Sequence, residues 1–211
     1  TTKKEFIYSV LAEKYYTHKS EGNHNNEIGL PMSIMSLAPH HKAAVYELAM
    51  SQRGEISYLS NIVKPDIAVI TNIGSMHIEN LGSREAIRDA KMEICDGLKK
   101  GGKLILNGDE PLLAGIEGAY YVAFKNPNAD LIISNIIEGE HGSAFDITIR
   151  GDKIESVVIP SLGEHNVFDA AVAYAVGILL GMSESEIRRG LMNFSNTGMR
   201  QNIYFVAGIK I

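Results

Sequence analysis

The chain has 211 residues, 45% hydrophobic and 21% charged, with a formal net charge of −5. This supports a packed core and argues against disorder. The acidic balance, with no basic run, argues against a nucleic-acid partner. No apolar run reaches the roughly 18 residues of a membrane span, so none is expected. The single cysteine, Cys95, excludes an internal disulfide and fits a reducing, cytoplasmic setting.

Thr1 enters a helical pattern at once, with no initiator Met, and no signal peptide is expected. Residues 4–16 are predicted as a helix, with Phe6, Ile7, Val10, Leu11 and Tyr15 on one side. Thr1 and Thr2 stand at its start, where free N–H groups and the helix dipole favour anions, although simple capping is the plainer reading. Residues 21–31 form a polar loop holding Asn23, Asn25 and Asn26. Ordinary turn chemistry and hydrogen bonding to a polar ligand are both open there. A short helix is predicted over 32–37.

Residues 43–49 read as a buried strand, with Glu47 near its carboxyl end. A buried acid needs an ionic partner or a metal. A helix over 55–64 leads to an apolar run at 67–70, and strand, helix, strand predicts a parallel pair with a right-handed crossover. A loop with His77 and Glu79 follows. Ser83 is placed to cap the next helix, whose buried stripe is Ile87, Ala90, Ile94 and Leu98. At roughly 100° per residue, Lys91 lies about 40° from Ile87, at the stripe's edge. Two readings are open: a lysine that snorkels to water, or Lys91 and His77 facing one crevice at the strand's carboxyl end, where α/β sheets bind ligands.

Residues 103–106 form the next strand, followed by a turn in which Asp109 is expected to cap a helix. Four short strands, at 119–124, 131–136, 144–149 and 154–159, are expected as an appended antiparallel section, Phe145, Ile147 and Ile149 alternating with polar residues. A helix rich in small residues opens at Gly163, and Ser183 with Glu186 makes a capping box for residues 184–193. Arg200, in the loop 196–200, suits an anionic oxygen. Residues 203–206 and 209–211 read as strand with nothing beyond, so a piece of a longer chain is expected.

Seven stretches in order resemble the Mur ligases, ATP-dependent amide-forming enzymes of peptidoglycan synthesis. They are GNHNNEIGLP at 22–31, ELAM at 47–50, TNIG at 71–74 running to His77, AKMEI at 90–94, LNGD at 106–109, GEHN at 163–166 and TGMR at 197–200. The resemblance implies an α/β fold: a P-loop-type, mostly parallel sheet flanked by helices, with a small antiparallel addition. It implies that 1–211 is the central ATP-binding domain, starting inside the P-loop and stopping before a C-terminal domain. Such a piece is expected to be inactive alone.

Carried over residue by residue, the resemblance puts Thr1, Glu47, His77 and Lys91 around Mg²⁺, with Lys91 as a carbamate. Lys91, His77 and Asn26 are implied in catalysis, and Asn25 and Asn26 in substrate contact. Thr1, Thr2, Asn107, His165, Asn166 and Arg200 are implied at ATP. Thr1, Glu47, His77, Asn107 and Arg200 should ring one crevice. Ala49 and Asp169 depart from the family pattern, which has Gly and Asn there. The Asn-Asn-Glu-Ile-Gly form points to the branch whose substrates are UDP-N-acetylmuramoyl-tripeptide and D-alanyl-D-alanine, joined through an acyl phosphate by a monomer. A folylpolyglutamate- or cyanophycin-synthetase-type ligase and a non-catalytic nucleotide-binding module are the alternatives.

Overall fold

In the computed structural model, residues 1–76 and 78–195 are described, with the backbone of Phe205–Val206 and Ile209–Lys210. The order is α1 (Thr2–Ala12), β1 (Thr17–Lys19), α2 (Gly29–Met35), β2 (Ala43–Val45), α3 (Glu55–Val63), β3 (Ile67–Ile70), α4 (Ile78–Leu81) and α5 (Arg84–Met92). Then come β4 (Lys103–Asn107), β5 (Tyr120–Ala123), β6 (Leu131–Glu138), β7 (Ser143–Ile149), β8 (Asp152–Ile159), α6 (Glu164–Leu179) and α7 (Glu184–Met192). The segments β9 (Phe205–Val206) and β10 (Ile209–Lys210) pair antiparallel.

One six-stranded sheet runs β3-β4-β5-β6-β7-β8. It is parallel from β3 to β6 and antiparallel from β6 to β8, a mostly parallel sheet with an antiparallel addition; β5, expected in the antiparallel section, instead pairs in parallel with β4 and β6. Alternation along the parallel strands sends side chains to two cores, so helices must cover both faces. On one face Ile105, Val122, Leu131 and Ile133 pack with Phe6 and Val10 of α1, the alanines of α6, and Ile187 and Leu191 of α7. On the other, Ala68, Ile70, Leu104 and Leu106 pack with Ile56 of α3 and Ile87 and Ala90 of α5. α6 is buried through most of its length, because its small residues let α1, α7 and the sheet approach closely.

The amino-terminal third departs from expectation. The first helix stops at Ala12, so Tyr15 lies beyond it, and α2 starts three residues earlier than predicted. The strand expected over 43–49 ends at Val45. Beyond it the backbone leaves the ladder, and Ala49 N donates to Asn25 O at 2.8 Å. β2 does not pair with β3 as expected; it pairs in parallel with β1, which has no sequence signature because Thr17-His18-Lys19 is polar and half-buried. Asp109 caps no helix. Its carboxylate accepts from the backbone of Phe124, Lys125 and Asn126, while Glu110 caps the turn at Pro111–Leu113.

Candidate functional site

The start of α1 is the meeting point. Thr1 is its N-cap but makes no side-chain capping bond. Its amino group lies 3.1 Å from Glu47 Oε2, and Asn25 Nδ2 donates to Glu47 Oε1 at 3.4 Å. Glu47 Oε2 is buried. Burial pushes the Glu47 carboxyl up, and hydrogen bonds from the Thr1 hydroxyl and the Asn25 amide pull it down. A buried carboxylate with a hydroxyl at its side is the hard-oxygen donor set that Mg²⁺ prefers. Thr1 and Glu47 fit such an ion. Among the described residues no three His, Cys, Asp or Glu side chains form a metal cage.

One turn along, α1 meets the carboxyl ends of the central strands. Lys3 Nζ donates to Thr71 Oγ1, just past β3, and pairs with Asp169 Oδ1 of α6 at 3.1 Å. Asn107, the last residue of β4, donates from Nδ2 to Thr71 O at 3.1 Å and accepts from Asp109 N at 2.9 Å. Lys91 Nζ donates to Asn72 O at 2.6 Å. Both lysines therefore anchor on adjacent residues at the end of β3. Burial pushes the Lys91 amine down, the charge of Lys3 pushes it further, and Glu110 opposes them. Lys91 is thus half-buried and tethered inward, unlike a lysine reaching freely for water. Burial pushes the Asp169 carboxyl up against the pull of Lys3.

The remaining expected residues divide. Thr2 is half-buried in the first turn of α1. Asn26 Oδ1 accepts from Ile28 N at 3.1 Å and Gly29 N at 2.8 Å, so its carbonyl fronts α2. His165 is exposed at the start of α6, its ring beside Gly163. Asn166 is 3% exposed, and its amide donates to Ser161 Oγ at 2.8 Å and Leu162 O at 2.7 Å. Those bonds fix the helix entry and leave the Asn166 amide facing inward. His77 and Arg200 lie outside the described residues. So Thr1, Glu47 and Asn25 come together, and Asn107 and Lys91 converge with Lys3 around Thr71 and Asn72.

Sequence reasoning missed Lys3 and its partner Thr71. A signal existed: basic residues in a first helical turn oppose the helix dipole, so a Lys-Lys pair there needs another reason.

A family model described as the Mur ligase middle domain matches residues 1–177. The UDP-N-acetylmuramoyl-tripeptide–D-alanyl-D-alanine ligase of Bacillus subtilis is 43% identical over 204 residues, covering 95% of this chain and 43% of that protein. The chain therefore spans less than half the length of this relative. Among solved structures, MurF from Acinetobacter baumannii superposes with a TM-score of 0.90 at 32% identity, over 100% of this chain and 47% of that one. MurF ligase from Thermotoga maritima in complex with ADP gives 0.88 at 26% identity, over 99% and 49%.

Proposed function

This chain belongs to the Mur ligase family, and from that premise we propose that residues 1–211 are the central ATP-binding domain of a ligase that joins D-alanyl-D-alanine to UDP-N-acetylmuramoyl-tripeptide in peptidoglycan synthesis. The observation that carries the reading is the convergence of Thr1, Glu47, Lys3, Asn107 and Lys91 on the start of α1 and the carboxyl ends of β3 and β4. Ligands of α/β sheets collect at such strand ends, and a helix start favours phosphate.

In this reading Thr1 and Glu47 hold Mg²⁺, with His77 as a further ligand. When bound, Mg²⁺ offsets charge on the nucleotide phosphates. Asn107 steadies the ends of β3 and β4 beneath the phosphates. Asn25, and Asn26 through its amide, face the substrate side. His165 stands on the adenine side, and Arg200 beside the phosphates. Lys91 serves as a carbamate, which burial and the Lys3 charge support because both favour the neutral amine that adds CO₂. The acyl-phosphate route needs donors placed around developing phosphoryl charge more than an acid–base pair. The enzyme works as a monomer in the cytoplasm; among the described residues no helix is long and apolar enough to cross a membrane.

The test uses the longer ligase that carries this sequence. Phosphate release should require ATP, the tripeptide acceptor and D-alanyl-D-alanine together, and Glu47→Gln should lower it by two to three orders of magnitude, about the effect of losing one electrostatic stabiliser. Turnover with a folate or another amine, and none with D-alanyl-D-alanine, would overturn the assignment.

A further inference from the structure

Lys4 is the odd residue of α1. It stands in the first turn, where the helix dipole disfavours a cation, and it is only 4% exposed. A buried ammonium persists only when its donors are used. Here Nζ donates to Ser20 O and to Gly22 O, the latter at 3.2 Å, and lies 3.5 Å from Glu5 Oε1. Glu5, itself 6% exposed, also takes Lys19. Two of the Lys4 contacts are therefore main-chain carbonyls of the loop that leads to Asn25. Gly22 has φ +48, a conformation that lets its carbonyl turn inward.

The other side of the loop is tied to the segment that carries Glu47. Ser20 N donates to Val45 O at 3.1 Å, Ala49 N donates to Asn25 O at 2.8 Å, and the Asn25 amide reaches Glu47. The start of α1 thus meets this unit twice, through the Thr1 hydroxyl at Glu47 and through Lys4 at Ser20 and Gly22. We propose that Lys4 is a positioning residue: by holding the Ser20 and Gly22 carbonyls, it sets where residues 20–26 present the Asn25 amide to Glu47. This rests on the reading of Glu47 and Asn25 as parts of the nucleotide and substrate site.

Hydrogen exchange on the metal-free 211-residue protein tests it directly. Bonds from a charged donor are worth enough that Lys4→Met should speed exchange over residues 20–26 and at the Ala49 amide about tenfold, leaving the core of α6 unchanged. Lys4→Arg, which keeps charge and donors, should restore most of that protection. The Mg²⁺ needed for half-maximal ATP binding should rise about tenfold in Lys4→Met, with metal-free ATP affinity unchanged. Unchanged exchange in the loop, or exchange rising equally in α6, would overturn the proposal. If Lys4→Met does not fold, Lys4→Gln, which is neutral and shorter, decides it on the same readout. Glu47→Gln with unaltered Mg²⁺ dependence would instead sink the site reading, while loop exchange still decides the role of Lys4.

Discussion

The Asn166 amide donates to Ser161 Oγ and Leu162 O. The family resemblance points this residue at adenine, and its hydrogen bonds also give it a folding task. Asn166→Ala leaves Ser161 Oγ and Leu162 O short of a donor, at a cost of about 1–3 kcal/mol. The expected result is a lower thermal midpoint with ATP affinity unchanged; a large affinity loss at unchanged stability would contradict it. Lys91 poses the opposite case. Its helix position makes a surface lysine plausible, yet the side chain is tethered to Asn72 O and its amine is pushed down by burial. In the longer ligase, Lys91→Ala should cost roughly two orders of magnitude in turnover. Added short carboxylic acids should restore part of it by supplying the missing anion. Full activity without rescue would return Lys91 to a packing role. Neither outcome is readable from residue type, because burial and partners are set by distant segments.

Elements were legible in proportion to their apolar patterning. β3, β4, the β6–β8 ribbon and the Ser183 capping box follow from periodicity and capping, and each forms as expected. β1 was invisible because its three residues carry no alternation, so the partner of β2 was missed too. Helix packing was equally hidden. α7 approaches α1 so closely that a Cβ at Gly190 would sit 2.4 Å from Val10 Cα and 2.7 Å from Ser9 O. Ser9 Oγ also donates to Gly190 O at 2.6 Å. Gly190→Ala must push the helices apart, at about 1–3 kcal/mol; calorimetry should show a reduced midpoint, and an unchanged one would refute the close crossing. In the ribbon, Asp146 accepts from Asn135 Nδ2 at 2.8 Å and Ser156 N at 2.9 Å, and pairs with Lys153 at 3.0 Å. The hydrogen bond from Asn135, then those from Ser156 N and Lys153, push its carboxyl down to about 2, from 3.8. A depressed acid stabilises the fold above its unfolded value and loses that contribution as pH falls through the folded one. The Ser156 amide should therefore lose exchange protection between pH 3.8 and about 2. Asp146→Asn should abolish that acid step, and an equal step in the variant would contradict the assignment.

At the scale of the molecule, two helical layers clamp a sheet whose carboxyl ends meet the start of α1. The sheet class was legible, and Thr1, Glu47 and Lys91 stood out at a helix start, near a strand end and at the edge of a helix stripe, whereas Asn107 entered only through the family resemblance. Lys3, Lys4 and Thr71 were not legible, because their roles arise only when α1 is laid across the ends of β3 and against residues 20–26. In the proposed function, nucleotide and metal are received at that junction. Amide resonances of the isotopically labelled protein, titrated with ATP with and without Mg²⁺, test it most directly. Mg²⁺-dependent shifts are expected at Thr2, Asn25, Glu47, Thr71 and Asn107, lost in Glu47→Gln. Shifts confined to the β7–β8 ribbon, or a response to ATP that Mg²⁺ leaves unaltered, would contradict it.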